Sequence, residues 1–181
     1  MKKRSLKQII IYMGLLVALC AAPQTASALD GYRDRSGVMG GLGIGGGAVV
    51  QEGDTGGEMM LDVQIGGGAT KNITFALDVD LRLQLVDGNK TGLLVPGPEL
   101  TFFITDGLFV RAGIGLGMIF AGSNGSDDNF TLGFNGGGGI GYEFFTGADL
   151  ALSMALEVDY FVIDNRPNVF AGGFWMGLRF Y

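Results

Sequence analysis

The chain of 181 residues contains no histidine and a single cysteine, Cys20. Serine and cysteine nucleophiles are ordinarily activated by a histidine, so this absence argues against that chemistry. It also removes the nitrogen and sulfur ligands of an ordinary zinc site. A site built only from carboxylates stays possible, but the sequence gives no reason to prefer one. We therefore predict no catalytic residues, no cofactor and no metal.

Long apolar runs are also scarce. A basic stretch in residues 2–7 precedes an apolar run from about residue 9 to 23, and residues 26–28 read Ala-Ser-Ala. This order is typical of a cleaved secretory signal, so we assign 1–28 as signal peptide and 29–181 as the mature domain. The run is shorter than the roughly 20 residues of a membrane-spanning helix, so any membrane insertion must use strands.

Cys20 lies inside this apolar run. Its alternative role is a lipid-modified N-terminus, but the large Leu19 precedes it where a small residue is expected. Cleavage after Ala28 would leave a mature chain without thiols or disulfides.

Positive charge is sparse after residue 28. Four of the 12 basic residues lie in the predicted signal, which leaves 8 against 18 acidic residues and argues against nucleic acid as a partner. Only two lysines remain, Lys71 and Lys90, both in predicted turns. The chain is 17% charged, whereas a water-covered protein surface holds about 25–35% charged residues. The polar surface of the fold is therefore expected to be enclosed.

What the sequence does have is period-two alternation. In residues 73–85 every odd position is bulky and apolar, and every even position is polar or small. The pattern recurs seven more times, which predicts an all-β fold: a closed eight-stranded antiparallel up-and-down transmembrane β-barrel. The predicted strands cover residues 38–51, 58–68, 72–86, 93–105, 108–120, 130–144, 149–163 and 169–181.

The predicted connections alternate between longer polar loops, at 52–57, 87–92, 121–129 and 164–168, and shorter turns. This asymmetry is typical of outer-membrane barrels and predicts both chain ends on the periplasmic side. The residue pairing of one hairpin can be predicted from the sequence. If residues 105–107 form a three-residue loop with Gly107 in the left-handed conformation, the outward-facing residues of the two flanking strands lie opposite each other. The same register places Thr101 opposite Arg111, with Glu99 within ion-pair reach.

The 34 glycines fit the inner face of a narrow barrel, where small residues make room for large ones. Ten fall on the inner parity of three strands: Gly41, Gly43, Gly45, Gly47, Gly113, Gly115, Gly117, Gly137, Gly139 and Gly141. The large inner residues that they accommodate are Phe103, Phe109, Phe161, Trp175 and Tyr181.

Ionisable residues on the inner parity form a predicted lumen ion-pair network of seven acids and three arginines. Its members are Asp62, Asp78, Asp80, Arg82, Glu99, Arg111, Glu143, Glu157, Asp159 and Arg179. Buried charge is costly unless paired, so each arginine is expected to bridge more than one carboxylate, with water or protonation covering the remainder. The network is best interpreted as a polar plug, with a narrow cation-favouring water path as the alternative.

The chain ends in Gly-Phe-Trp-Met-Gly-Leu-Arg-Phe-Tyr. This segment, with Trp175, Gly177, Phe180 and Tyr181, resembles the C-terminal signal by which outer-membrane barrels are recognised and inserted, although that family most often ends in Phe. With the signal peptide and the eight strands, the chain resembles small outer-membrane β-barrels of the OmpA, OmpX and OmpW superfamily. The resemblance covers 29–181 and is architectural.

The resemblance implies an outer-membrane location in a Gram-negative type bacterium, a monomer, and contact with outer-membrane lipid, lipopolysaccharide and the barrel-assembly machinery. The expected role is structural or surface-interactive. The alternative is a narrow channel or transporter for small hydrophobic or cationic solutes. The apolar inner residues Ile119, Phe161 and Ile163, near the predicted extracellular rim, motivate a hydrophobic solute, and the acidic inner face motivates a cationic one. Barrel enzymes of this kind resemble one another in using a rim histidine, which this chain lacks.

Overall fold

A computed structural model describes residues 35–86, 88–122, 130–146, 149–163 and 167–181. The predicted signal peptide and most of the segment before the first strand lie outside these ranges, so the structure does not test the proposed cleavage. Among the residues that the structure describes, no helix is long and apolar enough to cross a membrane.

Eight antiparallel strands form a closed barrel in which each strand pairs with its sequence neighbours and β1 pairs with β8. The strands are β1 Gly37–Gln51, β2 Asp54–Thr70, β3 Ile73–Val86, β4 Asn89–Phe103, β5 Leu108–Gly122, β6 Phe130–Phe145, β7 Leu150–Ile163 and β8 Val169–Phe180. Closure leaves no unpaired sheet edge. The predicted fold class is confirmed.

The alternation in sequence becomes two different surfaces. On β3, Phe75 and Leu77 are 57% and 51% exposed on the outside, whereas Asp80 and Arg82 are 7% and 3% exposed on the inside. The other strands repeat this arrangement, so the apolar residues cover the outer wall and the charged and glycine residues line the lumen. An outer surface of this kind is suited to hydrocarbon.

Two of the predicted long loops are wrong. Gln51 pairs with Asp54, and the two residues between them, Glu52 and Gly53, have φ of 51° and 95°, as in the tight hairpin turns that match strand twist. Val86 likewise pairs with Asn89. Two of the four connections at this end are therefore as short as the turn at 71–72, and the predicted length asymmetry rests on the β5–β6 and β7–β8 connections alone.

The β4–β5 hairpin has the predicted register, with Phe102 opposite Val110 and Thr101 opposite Arg111. The predicted left-handed Gly107 is wrong, because its φ is not positive. A Cβ at this position would instead lie 2.7 Å from Tyr142 Cε1. Glycine is needed there because the hairpin passes close to β6.

The β4–β5 ladder is interrupted at Pro96 and Pro98. Pairing stops at Leu94 opposite Met118 and resumes, in the same register, at Glu99 opposite Gly113. Proline has no N–H to donate, so the wall has fewer hydrogen bonds here.

The lumen has an apolar end beside the β1–β2 and β3–β4 turns, where buried side chains form one cluster: Val49, Leu93, Val95, Ile119, Phe161, Ile163, Val169 and Ala171. We call it the apolar end cluster. The charged residues fill the middle of the lumen, and Arg35 lies toward the other end, beside the β4–β5 hairpin. The barrel is thus filled along most of its length.

Candidate functional site in the barrel lumen

Arg82 organises the charged middle of the lumen. Its guanidinium contacts Asp80 at 2.7 Å, Asp159 at 2.8 Å and Glu58 at 3.4 Å. Gln84 Nε2 donates a hydrogen bond of 2.7 Å to Glu58. Arg82 and Asp159 are 77 positions apart in sequence, so this cluster ties β3 to β7 across the lumen.

Arg111 and Arg179 share a second group of carboxylates. Arg111 Nη1 lies 3.2 Å from Glu99, and the same guanidinium pairs with Glu157. Arg179 lies 3.4 Å from Glu99 and 3.8 Å from Glu143. Each of these arginines therefore faces two carboxylates, which offsets part of the cost of removing the charges from water.

Trp175 fills the space between these two arginines. Its ring centroid lies 4.5 Å from the Cζ of Arg111 and 5.6 Å from that of Arg179, within cation–π range. The indole leaves no room for side chains on two neighbouring strands, since a Cβ on Gly177 would lie 2.6 Å from Trp175 Cζ2 and one on Gly43 would meet the same ring. Glycine at positions 43 and 177 therefore makes room for this ring.

Arg35 is a fully buried lumen residue that sequence reasoning missed. Its Nε donates a 3.0 Å hydrogen bond to Glu143, its Nη2 donates to the Asp106 carbonyl, and its Cζ lies 3.7 Å from the centroid of Phe103. It precedes the first strand, so the period-two rule could not assign it to a face. The sign that could have found it is the excess of inner acids over arginines.

Glu58 was also missed, although its parity matches Met60 and Asp62. The predicted β2 begins at Glu58, which places this residue at the edge of the strand. The structure begins β2 at Asp54 and buries Glu58 against Arg82.

Tyr181 follows β8 and closes the network at the end that holds the C-terminus. Its hydroxyl donates a 2.8 Å hydrogen bond to Glu143, and burial raises the pKa of this hydroxyl. Phe180, by contrast, points outward and is 48% exposed. The residues of the predicted C-terminal signal therefore lie on both faces of the barrel wall, with Trp175 and Tyr181 on the inner face and Phe180 on the outer face.

Asp62 and Asp78 do not join the arginine clusters. Within the described ranges, neither carboxylate forms an ion pair with an arginine. Asp62 is fully buried, and its Oδ2 accepts a 3.2 Å hydrogen bond from Gln64, which itself accepts from Arg179. Asp62 Oδ1 and Asp78 Oδ1 are buried without a hydrogen-bond partner. The lumen network thus has two arginine-centred groups, and Asp62 is linked to Arg179 only through Gln64.

A cavity of about 40 Å³ adjoins Asp78. It is bordered by Asp78, Asp80, Glu99 and Arg111, and it extends to the interrupted ladder at Pro98. A cavity needs about 10–15 Å³ to hold one water molecule, so this one has room for a few small occupants.

The apolar residues that motivated a hydrophobic ligand are packed against each other. Ile119 and Phe161 are each 1% exposed and Ile163 is 8% exposed, and all three belong to the apolar end cluster. They act as a core in the described part of the chain rather than as the walls of an open pocket.

No protein-family model and no curated protein matches the sequence. Solved structures do match. Neisserial surface protein A is 17% identical with a TM-score of 0.64, over 80% of this chain and 97% of that one. Ail, the attachment invasion locus protein of Yersinia pestis, is 12% identical with a TM-score of 0.57, over 80% and 99%. The outer membrane enzyme PagL is 13% identical with a TM-score of 0.48, over 76% and 97%. The chain has the fold of the small eight-stranded outer-membrane β-barrels.

Proposed function

We propose that this protein is an integral outer-membrane barrel with a plugged lumen and a structural or surface-interaction role. The observation that carries the proposal is the filled cross-section at Trp175, where Arg111 and Arg179 flank the indole and both guanidiniums face buried carboxylates. A water-filled pore would need these side chains to lie apart. The apolar end cluster and Arg35 close the lumen further along its axis.

Planar-bilayer recording tests this proposal. We expect the purified protein, inserted and verified as folded by its heat-modifiable gel migration, to give no stepwise currents of the size that open pores carry. Stable open-pore conductance from folded protein would contradict the plug. Phe174→Ala is a control variant: it removes an aromatic ring from the outer face rather than from the lumen, so the current record should be the same as that of the wild type.

The proposal includes a location in the outer membrane, contact with membrane lipid and lipopolysaccharide, insertion by the barrel-assembly machinery through the C-terminal segment, and a monomeric state. The apolar outer wall and the predicted secretory signal support the outer-membrane location. Cell fractionation together with heat-modifiable migration is the test. Recovery of the protein in a soluble fraction would contradict it.

Absence of catalysis also belongs to the proposal. The chain has no histidine, and in the described lumen the carboxylates of the arginine clusters are held in ion pairs. Incubation with lipopolysaccharide, phospholipid and peptide substrates should give no turnover above background. Turnover that scales with enzyme concentration would contradict this part.

A second candidate function is a narrow path for cations. The cavity bordered by Asp78, Asp80 and Glu99 favours it, because its walls carry more carboxylates than arginines. The same bilayer recordings test it, since small cation-selective currents in a salt gradient would support this function and their absence would remove it.

A further inference from the structure

We propose that Asp62, Asp78 and Asp80 form a binding site for a divalent cation inside the barrel, with Ca²⁺ as the best-fitting ion. The three carboxylates each offer one oxygen, and these oxygens lie within 4.8 Å of one another. Ca²⁺ binds oxygen ligands at about 2.3–2.6 Å, which allows ligand oxygens to lie up to about 5 Å apart. Mg²⁺, at about 2.0–2.1 Å, requires a tighter group.

The strand register brings the three aspartates together. Asp62 on β2 is directly opposite Asp80 on β3, and Asp78 is two residues from Asp80 on the same inner face. Carboxylates placed this close repel each other unless a positive charge or a proton lies between them. The arrangement is thus costly in the barrel unless a cation or a shared proton lies between the carboxylates.

Buried oxygens without partners point to the same site. Asp62 is 0% exposed, yet its Oδ1 has no hydrogen-bond partner, and Asp78 Oδ1 is in the same state. Buried polar atoms are nearly always satisfied, so these two carboxylate oxygens call for a partner, which is a water molecule, a proton or an ion. Asp80 holds Arg82 through Oδ2, and a carboxylate can accept at both of its oxygens.

Space and charge also favour a cation. Asp78 and Asp80 border the cavity of about 40 Å³, which has room for an ion and accompanying water. In the described lumen, the buried arginines are Arg35, Arg82, Arg111 and Arg179, and they are outnumbered by the inner carboxylates Glu58, Asp62, Asp78, Asp80, Glu99, Glu143, Glu157 and Asp159. One divalent ion would offset half of this excess of four.

Trp175 supplies a built-in reporter, because it is the only tryptophan in the chain. Its indole lies against Gly43, which is the register partner of Asp62. Register partners have Cβ atoms about 5 Å apart, so the ring lies within roughly 10 Å of the proposed site. Tb³⁺, which replaces Ca²⁺ at oxygen sites, should emit when this tryptophan is excited.

The experiment is a Tb³⁺ titration of the folded full-length protein in micelles after removal of metals with EDTA. We expect saturable, tryptophan-sensitised emission with one Tb³⁺ per protein, displaced by excess Ca²⁺. Asp62→Asn and Asp78→Asn should each weaken Tb³⁺ binding by about tenfold or more, since affinity depends on the number of charged ligands. Glu143→Gln is the matched control, because it removes the same charge from a lumen carboxylate that neither belongs to the aspartate group nor borders the cavity, and it should stay within about threefold of wild type.

Absence of sensitised emission would overturn the proposal, as would emission that Asp62→Asn and Asp78→Asn leave unchanged. The competing explanation is a proton shared between two of the carboxyl groups, and it predicts that no Tb³⁺ binds at these aspartates. If Asp62→Asn does not fold, the titrations of the wild type and of Asp78→Asn still test the proposal. As a second readout, Ca²⁺ should raise the unfolding temperature of the wild type and not that of a folded Asp78→Asn variant.

Discussion

The charged middle of the lumen and the apolar end cluster fill the same barrel by different means. In the middle, Arg82 holds three carboxylates, and removing it would leave all three without their cation. At the apolar end, residues such as Ile119 and Phe161 contribute only volume and contact. Loss of one charged side chain in the middle of the lumen should therefore leave several partners uncompensated, whereas loss of one apolar side chain in the apolar end cluster should affect only the residues packed against it.

The largest expected effect comes from breaking the charged middle. Arg82→Met should destabilise the protein by about 3–5 kcal/mol, because a buried ion pair that loses one partner leaves uncompensated buried charge. The free energy of unfolding can be measured by urea titration in lipid vesicles, followed by Trp175 fluorescence. Lys90→Met, which removes an exposed positive charge, is the control and should change stability by no more than about 0.5 kcal/mol. Equal losses in the two variants would contradict the comparison.

A smaller effect is expected where a glycine admits the large ring of the charged middle. Gly43→Ala should cost about 1–3 kcal/mol, since the added methyl group meets Trp175 and the packed lumen must shift. Gly136→Ala is the matched control, because a Cβ there meets nothing within 4 Å. Urea titrations of both variants measure the difference. If Gly43→Ala were as stable as Gly136→Ala, Trp175 would not be packed as described.

The smallest effect is expected at the apolar end. Ile119→Val should cost about 0.5–1.5 kcal/mol, the usual consequence of deleting one buried methylene. Ile114→Val removes the same group from an outward residue that is 68% exposed, and should be close to neutral. Thermal unfolding of the two variants in the same vesicles measures this contrast. A loss at Ile119 as large as that for Arg82→Met would show that the two regions respond alike.

The strands and their inward faces could be predicted from sequence because the alternation is local. The turn at 52–53 could not, since Gly56 and Gly57 look like loop residues. In the structure Gly56 lies inside β2, where a Cβ would lie 2.7 Å from Val86 Cγ2. Glycine therefore marks close packing as well as turns, and a single sequence does not distinguish the two.

The composition of the lumen was predictable, but its pairing was not. Arg111 and Glu99 lie on adjacent strands joined by a short hairpin, so their contact followed from one register. The contact of Arg82 with Asp159 spans the lumen, and it depends on the relative heights of strands that do not touch. The separation of Asp62 and Asp78 from the arginines depends on the same long-range geometry.

The central claim, that apolar side chains face hydrocarbon while the charged surface closes on itself, is tested most directly by fluorescence quenching with brominated phospholipids. Trp175, the only tryptophan, is 1% exposed in the lumen, and its neighbour Phe174 is 40% exposed on the outer wall. In vesicles of brominated lipid, Trp175 should keep most of its emission. The double variant Trp175→Phe, Phe174→Trp should be strongly quenched. Equal quenching of the two proteins, or stronger quenching of Trp175, would contradict the account.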